Sequence, residues 1–407
     1  MKRTLKKITR FILYLIAGIT GLLLLYILFN LNLFHKTKAL APGKLNALLQ
    51  VTGKKEADPF RFVADKFDTH SIVFLGELHK RKQDLEFFSN LIPYLYKEKK
   101  ITIIGWEFGA ADFQQDADSV VNAPEFDRAK AIAIMRKSLY YWCYEEYLHI
   151  FKTVWQLNKT IPPGDDKVRF LQLNKPYNPR KLRSADPAIR QEESLVNFDN
   201  TLPGIVEKEV IAKNKKILIY CGLHHSLTKF HTPKFFFLKD KGRAGQLLYE
   251  KHPGIIFQCS ILSPYPPRWY IYNELTHKEN YQFVFPFDGV FNQLYDSLKR
   301  PFAINSIDPA FADLKDYNSF YAFDTWGGTR LRDFCDGVIM LESFDKIQPV
   351  SIINDWVTTE ADVAGVKISL PEEEAKRIKT PADFMNYLNP ETDMRAMRSY
   401  HELKKFW

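Results

Sequence analysis

The stretch Ser71-Ile-Val-Phe-Leu-Gly-Glu-Leu-His79 constrains this chain more than any other. A short run of β-branched and aromatic residues closed by glycine reads as a buried strand of a parallel sheet. The run then releases Glu77 and His79 where the carboxyl end of that strand meets solvent. Open α/β sheets bind their ligands there, because loops leaving neighbouring strand ends converge on one crevice. Taken alone, Gly-Glu-x-His is also what a cap or a loop hydrogen-bonder looks like.

The arrangement recurs. Ile101-Thr-Ile-Ile-Gly-Trp106 delivers Glu107, followed by Phe108 and Gly109. Val168-Arg-Phe-Leu-Gln-Leu173 ends at Asn174, and Lys216-Ile-Leu-Ile-Tyr220 empties into Cys221-Gly-Leu-His-His225. Singly, Glu107 fits a helix N-cap or a partner for a loop arginine, and the adjacent histidines fit one packed and one solvated imidazole. Jointly, Glu77, His79, Glu107 and His224 or His225 put two acids and two imidazoles in one crevice, the pattern expected of a functional site.

The N-terminus sets the context. Lys2, Arg3, Lys6, Lys7 and Arg10 precede a stretch from Phe11 to Phe34 that carries no charge. At about 1.5 Å per residue it is long enough for a bilayer core, which needs about 20 residues. A cleaved signal peptide is the alternative, and Ala39-Leu40-Ala41 offers a small-x-small site. The apolar run is longer than a signal h-region, and Pro42 would follow the cut. The expectation is therefore a retained single-pass anchor over 11–34 behind a cytoplasmic basic segment, 1–10. The positive-inside rule then puts the main domain on the periplasmic or extracellular side.

Those first five basic residues supply five of the net charge of +9, leaving +4 for the rest. No basic run interleaved with aromatics appears, so the chain lacks a nucleic-acid footprint. The four cysteines, Cys143, Cys221, Cys259 and Cys335, show no zinc-ligand spacing. Cys221 is a conceivable nucleophile beside the His-His turn, but nothing in its setting marks a lowered pKa.

Further along, 35–68 reads as a polar connector with a short amphipathic helix at Leu45–Val51. Lys82–Glu98 has helical spacing, with Pro93 expected to kink or shorten it. Arg128–Lys159 reads as one long helix whose aromatic stripe is core. A second reading makes Tyr140–Tyr147, including Tyr144, with Glu145, Glu146 and His149, a wall of a substrate pocket that Asn174 joins. Lys175–Pro187 reads as a long loop, Pro187–Lys213 as a helix, Gly242–His252 as a helix and Ile255–Leu262 as a strand. Pro264–Tyr270 reads as a covering loop, followed by an aromatic-rich stretch, Tyr281–Tyr295, and Asp336–Leu341 is one more strand. This alternation predicts an α/β fold, a mostly parallel central sheet flanked by helices, over 69–355, with a helical tail over 356–407. No phosphate loop or dinucleotide fingerprint is present.

Gly76-Glu77-Leu78-His79, Glu107 on the next strand, the Lys167–Asn174 segment and the Gly222-Leu-His-His225 turn, in this order, resemble the superfamily of erythromycin esterases. That superfamily includes ChaN-like haem-binding proteins and Tiki/TraB proteases, and the resemblance covers residues 70 to 262. It implies that Glu77 and His79 form the first site element, Glu107 the second acid, and His225 or His224 the later histidine. Esterases of the group carry Gly-Glu-x-x-His and His-x-x-His. Here the first motif is shorter and Gly222 stands three before His225, which resembles the haem-binding and protease branches more closely.

Three expectations follow for the site. In a hydrolase, an imidazole oriented by Glu77 or Glu107 activates water against an ester or amide of a small-molecule or peptide substrate. In its metal-assisted form, His79 and His225 with a carboxylate hold a divalent ion. In a binding protein, haem or another planar ligand takes a His or Tyr as axial ligand.

Overall fold

Period-2 alternation sends Ile72 and Phe74 to one side of a sheet and Val73 and Leu75 to the other, and both sides are buried in apolar clusters. A strand covered on both faces reads in sequence as an unbroken apolar run. In the computed structural model, which describes all residues except 1, 33–34, 176–177, 195–196, 235–236, 271–281, 326, 391–396 and 398, that run is β1 (Ile72–Glu77). It is central in a seven-stranded sheet with β2 (Ile103–Ala110), β3 (Arg169–Asn174), β4 (Ile217–Gly222), β5 (Ile256–Ile261) and β6 (Phe302–Asn305). After a small two-stranded ribbon of β7 (Lys315–Asp316) and β8 (Thr329–Arg330), β9 (Gly337–Met340) completes the sheet. The strand order is β3-β2-β4-β1-β5-β9-β6. All neighbours run parallel except β6, an antiparallel edge strand that the sequence pattern does not announce.

Twelve α-helices precede β5 among the described residues. They are α1 (Lys2–Asn30), α2 (Pro42–Thr52), α3 (Pro59–Lys66), α4 (Lys82–Lys99), α5 (Gln114–Val121) and α6 (Arg128–Ser138), then α7 (Glu145–Thr160), α8 (Pro179–Leu182), α9 (Pro187–Ser194), α10 (Phe198–Val206), α11 (Leu223–Ser226) and α12 (Ala244–Lys251) among the described residues. A further helix, Val290–Leu298, leads into β6, and shorter ones at Glu360–Lys367, Glu372–Arg377 and Pro381–Leu388 occupy the C-terminal region. Of the expected segments, residues 1, 33–34, 176–177, 195–196, 281, 391–396 and 398 lie outside the described residues.

Several local expectations are corrected by tertiary packing. Arg128–Lys159 is two helices, because Tyr144 adopts extended geometry and bridges to Ile352. Pro187–Lys213 likewise breaks before α10, where the Asn197 side chain accepts from the Asn200 N–H as a cap. Pro93 does not shorten α4, whose Leu85, Phe88, Leu91, Ile92 and Leu95 are buried against the sheet and α7. That burial, about 1.5–3 kcal/mol per large side chain, outweighs the roughly 3 kcal/mol a helix-interior proline costs. The connector is not merely polar, since Phe62, Val63 and Phe67 in and after α3 enter the core.

α1 is long and apolar enough to cross a membrane: within Lys6–Asn30 an 18-residue window reaches a mean hydropathy of 2.5, and 6% of that window is buried.

The topology fixes where ligands can go. β1 leads by α4 toward β2, whereas its neighbour β4 leads by α11 and α12 the other way, toward β5. Adjacent strands whose connections diverge leave a crevice above their carboxyl ends. Glu77 ends β1 and Gly222 ends β4, side by side in register.

Candidate functional site

The chemistry is built from the strand ends upward. Glu77 is fully buried on the side of the sheet that also receives Tyr220 and Phe88. Its Oε1 lies 2.6 Å from Nδ1 of His79, two residues on. A carboxylate at that distance requires a donor, so Nδ1 carries the proton and Nε2 keeps its lone pair. The ring stands edge-on to Phe108 and Trp142, at 5.5 and 5.2 Å between centroids, and is 37% exposed. Burial acts to lower the His79 pKa; the charge and hydrogen bond of Glu77 and the charge of Glu107 outweigh it and raise it above 6.5.

Alternation places Glu107, in step with Ile103 and Gly105, toward the opposite face. Its Oε2 accepts the Gly222 N–H at 2.7 Å, and its Oε1 is 3.4 Å from Nε2 of His225. His225 Nδ1 donates in turn to Oδ1 of Asp199 at 2.6 Å, an oxygen that also accepts the Ala244 N–H at 2.9 Å. Burial acts to raise the Asp199 carboxyl, but the hydrogen bond and charge of His225 overcome it and hold the group below its ordinary range. Asp199 lies in the first turn of α10, where sequence gives it the appearance of a routine helix-dipole acid. No strand-end pattern could have found it.

Gly222 is where the two halves meet. A methyl on its Cα would stand 2.7 Å from Cε1 and 3.0 Å from Nε2 of His79, and 3.3 Å from Oε2 of Glu107. Its φ is −56°, open to any residue. What requires glycine is the close approach of the His79 ring. Gly76 serves the same end one strand over, since a Cβ there would sit 2.0 Å from Oγ of Ser226 and push α11 off the sheet.

Glu77, His79, Glu107 and His225 therefore form one continuous group. His224 does not join it. Its Nε2 bonds the Tyr321 hydroxyl at 2.9 Å, and burial pushes its pKa down to about 3. Tyr144 is fully buried among Trp142 and Tyr147, and Glu145 pairs with Arg128 at 2.7 Å in a separate cavity of about 420 Å³ with Lys82 and His149. Tyr144 is thus a core residue, whereas Glu145 and His149 line a cavity that none of Glu77, His79, Glu107 and His225 lines. Asn174 lines a smaller cavity of about 160 Å³ with Tyr140, Tyr141, Asn197 and Phe198. Phe198 stands edge-on to His225 at 5.0 Å, so this cavity abuts the acid–imidazole group. Cys221 is buried, and burial pushes its thiol well above the ordinary range.

Among the described residues no group of three or more His, Cys, Asp or Glu side chains has the arrangement to hold a metal ion. His225 presents Nε2 toward Glu107 Oε1 at 3.4 Å, while the contact His79 makes is through Nδ1 to Glu77. A divalent ion does not fit this donor set as it stands. Haem would find one axial donor of the kind it needs, His79 Nε2, with Phe108 and Trp142 beside it.

No family model matches the chain, and no curated protein matches it. Among solved structures it is similar to a protein of Bacillus cereus, at 13% identity and a TM-score of 0.48 over 77% of this chain and 100% of that one. It is also similar to a mutant of the erythromycin esterase EreC in its open conformation, at 12% identity and a TM-score of 0.48 over 76% and 98%. A third likeness is to the haem-binding ChaN of Campylobacter jejuni, at 13% identity and a TM-score of 0.33 over 50% and 86%. At such identities the chemistry has to be read from the residues themselves.

Proposed function

We propose that this chain is a membrane-anchored hydrolase acting on an ester or amide, with His79 as the general base. The observation that carries the reading is the 2.6 Å contact between Glu77 Oε1 and His79 Nδ1, which leaves Nε2 as a proton acceptor beside Gly222 and Glu107. Water in the crevice gives its proton to His79 Nε2 as its oxygen bonds the carbonyl carbon. Glu77 holds the tautomer and stabilises the imidazolium that forms, as the buried acid of a triad does. His225, fixed by Asp199, directs Nε2 toward Glu107. A proton there is placed to reach the leaving oxygen or nitrogen as the scissile bond breaks. Glu107 ties this half to β4 through the Gly222 N–H.

α1 serves as the anchor, retained behind the basic segment, with the catalytic domain outside the cytoplasm. The resemblance to the haem-binding branch supplies a second reading, in which His79 Nε2 would hold a haem and the haem would supply redox or gas-ligand chemistry.

The test uses the full chain in detergent against chromogenic esters and peptides. Hydrolysis that disappears in His79→Ala, with circular dichroism unchanged, supports the hydrolase. No turnover on either class, together with a stoichiometric Soret band on hemin addition that His79→Ala abolishes, overturns it in favour of haem binding.

A further inference from the structure

The apolar helix does not leave the domain as a free tether. Burial begins at Tyr26, 8% exposed, and Asn30 is fully buried. Asn30 Nδ2 donates to Oδ1 of Asp324 at 3.0 Å, and the Asp324 N–H donates back to Asn30 Oδ1 at 2.9 Å. The last turn of α1 is thus plugged into the domain.

This shortens the span. Phe11–Leu25, the part with no charge and little cover, reaches only about 22 Å at about 1.5 Å per residue. The hydrocarbon core is about 30 Å thick. Filling it brings the Tyr26 turn, and the protein surface around it, to the level of the lipid.

One loop on that surface is built for such a place. Pro233 and Lys239 pair across its base, and the Lys234 N–H bonds the Leu238 carbonyl at 2.7 Å. Phe237 and Leu238 are 56% and 62% exposed. The Phe237 ring stands edge-on to Tyr26 at 5.3 Å. Its N–H donates at 2.6 Å to Oδ2 of Asp324, the carboxylate that also holds Asn30. Phe237 has φ of +59°, a left-handed conformation that strains a bulky residue. The chain thus accepts strain and exposes two large apolar side chains at the height where α1 emerges. Lys234 and Lys239, both exposed, flank them, in the pattern that suits acidic headgroups.

We propose that Phe237 and Leu238 are a second membrane contact, inserted into the bilayer interface beside α1, so that the domain rests on the lipid surface instead of swinging from it. The proposal rests on α1 being a membrane span. A partner protein covering the same loop is the competing occupant; continuity with the apolar face of α1 favours lipid.

The experiment uses the full chain in phosphatidylcholine/phosphatidylglycerol nanodiscs, with a nitroxide on one introduced cysteine at a time: Leu238→Cys, Leu22→Cys within α1, and Ile307→Cys. Ile307 is 73% exposed and follows β6, whose end pairs with the start of β9, the edge of the sheet away from the strand carboxyl ends. The four native cysteines are buried, which keeps labelling selective. Lipid contact predicts that the Leu238 label collides with oxygen more than with an aqueous nickel complex, as the Leu22 label does, while the Ile307 label shows the reverse. A Leu238 label with Ile307-like accessibility, alongside a lipid-facing Leu22 label, overturns the second contact and leaves the anchor standing. A water-exposed Leu22 label overturns both.

Discussion

The backbone of Gly222 lies so close to His79 that one added methyl would stand 2.7 Å from its ring, while the Gly222 N–H is held by Glu107 at 2.7 Å. One residue without a side chain thus joins the imidazole of one strand end to the carboxylate of another. Gly222→Ala should displace the His79 ring, which Phe108 and Trp142 confine. A misplacement of about 1 Å can cost about 100-fold in rate, against an overpacking cost of about 1–3 kcal/mol. Turnover and chemical denaturation measured on the same preparation check this, and unchanged kcat would refute the close contact.

Glu77→Gln removes the group that orients His79 and raises its pKa. A loss of about 10²–10⁴ in kcat/KM is expected, the usual worth of positioned acid–base groups. The base form of His79 exists above its raised pKa, so the acid limb of the wild-type profile should lie above 6.5 and move to lower pH in the variant. The same pair affects stability with a definite sign. A raised imidazole pKa stabilises the fold fully below about 6.5, the unfolded value, and that contribution fades as pH rises through the folded value. A pH–rate profile whose acid limb does not move would count against the dyad.

Asp199→Ala should destabilise the domain by about 1–3 kcal/mol, because His225 Nδ1–H and the Ala244 N–H would lose their common acceptor. Because the folded Asp199 pKa is depressed, its contribution is present above about pH 3.9 and is lost as pH falls through the folded value. Urea midpoints across pH 3 to 7 should show the wild-type advantage narrowing at the acid end. A gap constant down to pH 3 would mean that the pair contributes nothing through its charge.

Cys221→Ala should leave turnover intact, and iodoacetamide should leave the wild type active. The thiol is buried and pushed well above its ordinary range, so no thiolate is present to attack. Loss of activity in this variant with the fold preserved would restore the cysteine as nucleophile.

Glu77, His79, Glu107 and the histidine pair are legible in the sequence alone, because a strand's two-residue period and the glycine that ends it are local properties. The α/β class and the parallel sheet are legible for the same reason. Helix ends are not: Tyr144 leaves the helical path to bridge Ile352, a contact more than two hundred residues away that no window of sequence contains. Sequence cannot choose between His224 and His225 either. That choice depends on which way the four-residue α11 turns over Gly76, with Tyr321 taking one imidazole and Asp199 the other. Asp199 is invisible because an acid in a first helical turn looks alike whether it serves the helix dipole or a histidine. Glu145 lines a cavity with Arg128, on the preceding helix, and pairs with it there, a partner no local window of sequence identifies. Periodicity determined which residues this protein carries to the ends of its strands. The packing of α10, α11 and the C-terminal region against those ends decided which of them meet, because contacts between distant segments are set by the shape of the whole core.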